Sequence, residues 1–153
     1  MLSVDKLPAG KSCRIAVQVI VDKGWHINTN PAKPDTFVPT ELKIKSKQGV
    51  TLRDVKYPPA TKKIEVPGLK EAQEVYEENF IIYGVLDVPG DPEESQDELE
   101  IDVKYQACNV QACLPPRTYK LSGKLAIAGP NEEVRQINQD KFAKSGEKSK
   151  SGN

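Results

Sequence analysis

Apolar and polar residues alternate one by one along much of this chain. Between residues 98 and 106, Leu99, Ile101, Val103 and Tyr105 fall on one side, and Glu98, Glu100, Asp102, Lys104 and Gln106 on the other. A period of two marks a half-buried β-strand with one wet face. The same rhythm puts Cys13 in phase with Ile15, Val17, Val19 and Val21. Strand-like runs are predicted over residues 12–22, 38–47, 50–57, 78–88, 97–108 and 117–128, with shorter pieces at 24–28 and 61–66. Breaker clusters separate them, among them Asp22-Lys23-Gly24, Gln48-Gly49, Pro58-Pro59, Pro67-Gly68 and Pro89-Gly90-Asp91-Pro92. Twelve prolines and ten glycines spaced in this way oppose helices and favour many short strands. The pattern predicts an all-β chain folded as an antiparallel sandwich.

Two stretches depart from the β rhythm. Residues 69–76, following Pro67-Gly68, are expected to form a helical turn or a long loop. Residues 131–137 read as a short helix, capped by Asn131 and carrying Glu132 and Glu133 in its first turn. From Ala143 onward the composition is that of a linker. The expected organisation is therefore one β domain over residues 1–128 and a tail, helical or disordered, over 129–153.

Charge excludes several functions. The 22 basic and 22 acidic residues cancel, so the balance points to neither nucleic acid nor a membrane surface. No apolar run approaches the roughly 18–20 residues that span a bilayer. Met1 to Lys6 carries no signal-peptide core. That leaves a cytosolic protein, or an exported one whose targeting segment lies outside this chain.

Three cysteines are present. Cys13, on the apolar side of its strand, is expected to be a buried and inert thiol. Cys108 and Cys113 differ: four residues lie between them, at the end of the strongest alternating run. In a hairpin with such a loop the two can face each other. Opposed residues there have Cα atoms roughly 4.5–5.5 Å apart, inside the roughly 4.4–6.8 Å window of a disulfide. Continued through Gln106, the alternation puts the Cys108 sulfur on the exposed side. Such a bond is either a staple or a working redox switch. As a staple, so small a loop contributes only about 2 kcal/mol on the chain-entropy model. A zinc site would need four ligands, and beyond the pair the chain offers only Cys13 and its single histidine, His26. The acid-rich stretch from Asp91 to Glu98 reads as a solvated loop.

The run Tyr105-Gln106-Ala107-Cys108, followed by Cys113-Leu114-Pro115-Pro116, resembles the redox hairpin of the N-terminal periplasmic domain of the thiol:disulfide interchange protein DsbD family. Gly24-Trp25-His26-Ile27-Asn28 is similar to that family's aromatic segment after the first long strand. Glu74-Val75-Tyr76 resembles the point where its chain re-enters the sheet. The likeness spans about residues 10–128. It implies an immunoglobulin-like sandwich exported to the periplasm. There it takes electrons from a thioredoxin-like domain, fed by a membrane-embedded partner, and hands them to oxidised proteins, cytochrome c biogenesis included. It implies no metal and no organic cofactor. Carried over, Cys113 exchanges with the partner and Cys108 resolves, beneath a cap near Ile64 to Leu69. The residues expected to line the site are His26, Asn28, Glu65, Leu69, Tyr76, Gln106 and Pro115. Three features differ from the better-known members: an aliphatic cap stiffened by Pro67, Trp25, His26 and Asn28 in place of tyrosines, and a cysteine spacing one residue shorter. A non-catalytic immunoglobulin-like binding or spacer module with a structural disulfide is the alternative, because sandwich folds serve many functions.

Overall fold

Strands form where the alternation is longest, and they assemble into three sheets. In the computed structural model residues 1–142 are described. In chain order the strands are β1 (Leu7–Pro8), β2 (Ser12–Val19), β3 (His26–Asn28), β4 (Glu41–Ser46), β5 (Thr51–Lys56) and β6 (Lys62–Ile64). There follow β7 (Gln73–Tyr76), β8 (Phe80–Asp87), β9 (Gln96–Tyr105), β10 (Ala107–Cys108), β11 (Arg117–Ala128) and a single helical turn, α1 (Gln139–Phe142).

The longest alternating run becomes β9, the interior strand of a sheet ordered β1-β11-β9-β4. Its apolar row pairs with apolar rows on both sides: Ile101 stands opposite Leu121 and Ile44, and Val103 opposite Tyr119 and Leu42. A second sheet, β2-β8-β5, faces it. The two bury Ile15, Leu86, Leu99 and Ile127 between them. Gly84 in β8 leaves room for the side chains of its own sheet to cross over it, because a Cβ there would lie 2.7 Å from Leu52 Cδ1 of β5. The third sheet, β10-β3-β7-β6, joins the core through Ile27 and Tyr76. The Tyr76 ring stacks on Phe80 at 3.9 Å. The result is the all-β, immunoglobulin-like antiparallel sandwich that the alternation and the family resemblance predict.

Three local expectations are corrected. Residues 73–76 are neither helix nor loop but β7, inserted between β3 and β6. The helix expected from Asn131 is absent there. Glu132 accepts the Gly129 amide and pairs with Lys6, while the backbone of Gln136 bridges to Val4. The one turn of helix starts only after Asn138, whose φ is 53°. Tertiary contacts with the N-terminal segment thus outweigh a local capping signal. The strand expected over 97–108 breaks at Gln106, and β10 leaves the β9 sheet to pair with β3.

Residues 129–142 lie against the sandwich. Asn138 Nδ2 donates to the Leu2 carbonyl. Phe142 is buried, with the Arg14 guanidinium 4.9 Å above its ring and Tyr83 edge-on at 6.0 Å. The linker expected from Ala143 onward falls outside the described residues.

Candidate functional site

Cys108 and Cys113 form a disulfide with Cα atoms 4.0 Å apart. The hairpin around them is held by its own backbone. The Asn109 amide donates to the Ala112 carbonyl at 2.9 Å, and the Leu114 amide to the Ala107 carbonyl at 2.8 Å. These two bonds flank the cysteines and leave them as the non-hydrogen-bonded pair, where opposed side chains come closest. Asn109 then shapes the turn, its Oδ1 accepting the amides of Gln111 and Ala112 at 2.8 and 2.9 Å, the bonding that suits asparagine to tight turns. Val110 stands at the tip, 98% exposed. Gln106 Nε2 donates to the Leu114 carbonyl, tying the strand break to the return strand.

The two sulfurs have opposite surroundings. Cys108 is 2% exposed, whereas Cys113 lies on the surface with Leu114, Pro115 and Pro116. The expectation of an exposed Cys108 is thereby overturned. The break at Gln106 resets the alternation, and β10 packs Cys108 beside β3, opposite His26. No periodicity argument carried through an unbroken strand could find this.

Opposed residues of a strand pair project to one face, so the disulfide shares a face with His26. The imidazole pKa is lowered, chiefly by burial; Lys62 lowers it further and Glu77 opposes the shift. Lys62 and Glu77 are themselves an ion pair at 3.5 Å. On the opposite face, Ala107 and Leu114 join Trp25, Ile27, Tyr105 and Tyr119 along an apolar groove of about 530 Å³. Tyr105 is partly buried against the core, as its phase in the alternation predicts, and it also lines this groove. The groove's mark in the sequence is Tyr119 and Leu121, apolar residues of β11 that no described residue covers.

The remaining expected site residues divide. Gln106 and Pro115 belong to the hairpin. Asn28, two residues along β3 from His26, is buried: its Nδ2 donates to the Val38 carbonyl and its Oδ1 accepts Gln73 Nε2, both at 2.8 Å. Tyr76 is core; its hydroxyl donates to the Pro58 carbonyl at 2.7 Å, and burial pushes its pKa up to about 12. The segment from Ile64 to Leu69 does not stand beside the disulfide. β6 and β10 are opposite edges of one sheet, with β3 and β7 between them. Ile64 pairs with Gln73, at the end of β7 away from Tyr76 and hence away from the cysteines. Glu65 and Leu69 are exposed there, around a turn in which the Leu69 amide donates to the Val66 carbonyl and Gly68 takes a φ of 90°. Cys13, as expected, is buried, and desolvation pushes its thiol up to about 11. Among the described residues no group of three or more metal-ligating side chains comes together.

The sequence profile of the N-terminal region of thiol:disulfide interchange protein DsbD matches residues 2–123, well over half of the chain. The chain belongs to that family. A comparison with curated proteins finds no match. Among solved structures, the reduced N-terminal domain of DsbD from Neisseria meningitidis aligns with 12% identity and a TM-score of 0.44, over 88% of this chain and 89% of that one. Membership of the DsbD N-terminal family, together with the Cys108–Cys113 bond, fits thiol–disulfide exchange as the general chemistry of this domain. Among the described residues no helix is long and apolar enough to cross a membrane.

Proposed function

We propose that this domain relays electron pairs outside the cytoplasm, from a thioredoxin-like donor to oxidised proteins, through Cys108 and Cys113. The observation that carries this reading is the asymmetry of the pair: one sulfur on the surface, its partner buried. Exchange requires a thiolate to reach a disulfide sulfur in line with the bond it breaks. Here Cys113 is the exposed residue of the pair, and the leaving group, Cys108, is packed.

In the proposed reaction a donor thiolate attacks Cys113 Sγ. The bond to Cys108 breaks, and Cys108 leaves as a thiolate that takes up a proton. The donor's second thiolate then attacks its own sulfur in the mixed disulfide, releasing Cys113. Two electrons have moved; the donor is a disulfide and the domain a dithiol. Running the same steps in reverse, with Cys113 attacking and Cys108 resolving, reduces a client. The membrane-embedded partner feeding the donor is part of the same proposal, as is a periplasmic location, where an unreduced disulfide persists.

Equilibration against a thiol–disulfide buffer tests the reading. An electron relay should show a reduction potential of roughly −120 to −270 mV, and a structural staple one below about −300 mV. Trapping tests the roles. Cys108→Ser should accumulate a mixed disulfide between Cys113 and a thioredoxin-like protein, and Cys113→Ser far less. Equal trapping by both variants would overturn the assignment of roles.

A further inference from the structure

One flank of the sandwich is left unfinished. From Arg117 to Lys124 every residue of β11 is exposed. Among the described residues its far edge is covered only where β1 pairs with Ile127 and Ala128. The facing edge, at the end of β2, is covered by the N-terminal residues only as far as Ala16, whose amide donates to the Met1 carbonyl. Between these edges runs the apolar groove, floored by Val17, Ile101 and Val103 and walled by Tyr119 and Leu121, which are 64% and 59% exposed. A free strand edge beside an apolar trough is the arrangement that accepts an added strand: main-chain bonds give affinity, and alternate side chains give specificity.

The other face of the same sheet says which strand. Lys43 and Lys45 of β4, then Glu98, Glu100 and Asp102 of β9, then Lys120 and Lys124 of β11, with Ser122 between them, alternate in sign from strand to strand; only the end row, Glu41, Lys104 and Thr118, breaks the pattern. Lys45 reaches Glu100 at 3.6 Å, and Lys120 reaches both Glu100 and Asp102 at 3.4 Å. The outermost row is positive and has acids on one side only. A strand added beyond β11 would therefore match it with acids on the outward positions and apolar residues over the groove. We infer that this edge docks an extended segment of another protein in which acidic and apolar residues alternate. β9 itself, Glu98-Leu99-Glu100-Ile101-Asp102-Val103, already satisfies β11 in that way from the other side.

Two other occupants fit worse. A second copy pairing edge to edge would set two lysine rows one strand apart, and lysine on an edge commonly prevents such pairing. Residues 143–153 contain three lysines, one glutamate and a single apolar residue, Ala143. The groove also has a direction. Leu114 and Ala107 line it at the hairpin, on the face opposite the disulfide, so a docked segment following β11 toward Arg117 ends at the base of the redox hairpin. Only the identification of this segment with the neighbourhood of a partner's reactive cysteine rests on the proposed relay; the docking itself does not.

The experiment uses the full chain with its disulfide intact and no added thiol. Two labelled peptides are compared by fluorescence anisotropy: the sequence of residues 97–104, and a copy with lysine at the positions of Glu98, Glu100 and Asp102. Hydrogen exchange of the β11 amides is followed in parallel. The acidic peptide should bind about tenfold more tightly at low salt and protect amides over residues 117–124. Lys120→Gln/Lys124→Gln should erase most of that preference, and Leu121→Ser should weaken both peptides; all three positions are exposed. Equal binding of the two peptides, or protection elsewhere, would overturn the inference. Self-association of the protein alone with β11 protected would also overturn it, giving the edge to a second copy. A negative result leaves the measured reduction potential, and hence the relay, untouched.

Discussion

Replacing Asn28 by alanine separates framework from site more sharply than any change at the cysteines. Its side chain is 1% exposed and makes two bonds of 2.8 Å, one to the Val38 carbonyl and one from Gln73 Nε2. Alanine orphans both partners. The Gln73 amide is buried and bears the full desolvation cost, while the Val38 carbonyl is partly open and bears less. At 1–3 kcal/mol for a buried orphan, the two together cost about 3 kcal/mol. With a urea slope of about 1–3 kcal/mol per M, the unfolding midpoint of the oxidised protein should fall by about 1–3 M at unchanged slope. The reduction potential should barely move. A potential reports only the difference between what a substitution costs the disulfide form and what it costs the dithiol form, and the Asn28 bonds go to neither sulfur. Since about 30 mV corresponds to 1.4 kcal/mol, a shift beyond that with stability preserved would make Asn28 a site residue and refute the reasoning. So would a midpoint within a few tenths molar of the parent.

Two further outcomes are expected. His26 is held below its ordinary pKa chiefly by burial, so in the window just below 6.5 the unfolded chain binds more protons than the native one. Stability gained from this histidine is complete above that pH and is lost as the solution is acidified. The Met1 amino group, also lowered by burial, pushes in the same direction at higher pH. The test is therefore the difference between parent and His26→Gln in urea midpoints from pH 5 to 7, and identical slopes would sink it. Phe142→Ala removes a buried ring and its contact with Arg14, which should cost about 3 kcal/mol and lower the melting temperature by roughly 6–12 °C. A shift under about 2 °C would mean that the last turn merely rests on the sandwich.

Much of this molecule was legible because β-strands advertise themselves. Every long alternating run became a strand, and β9 kept Leu99 and Val103 inward. The cysteine pair was legible from spacing alone. What escaped reading was governed by contacts distant in sequence. Gln73 to Tyr76 carries glutamate and glutamine, which suit a helix, yet it is clamped between β3 and β6, the re-entry into the sheet that family resemblance implied and local pattern did not. Asn131 offers a helix cap, but the Lys6–Glu132 pair and the bridge from Val4 to Gln136 occupy that stretch. Asp102 was placed on the wet face and is buried there, between Lys45 and Lys120. The face of Cys108 depended on a one-residue break, and the alternation carries no mark of it. The cap segment was located by likeness to a family, and sheet order, which no short motif encodes, puts it on the opposite edge.

The hairpin's backbone bonds have a consequence for the lifetime of any intermediate. Asn109 to Ala112 and Leu114 to Ala107 are linked without help from sulfur, so these bonds should hold both strands in place when the disulfide opens. In the proposed relay, a partner attached to Cys113 would therefore face Cys108 at very high effective concentration, because the second attack would be intramolecular and oriented. Covalent complexes of the intact protein should be fleeting. A stray small thiol that caps Cys113 would be expelled in the same way, without help from any other protein. The turn that brings the two cysteines together thus also keeps the exposed one from becoming a dead end.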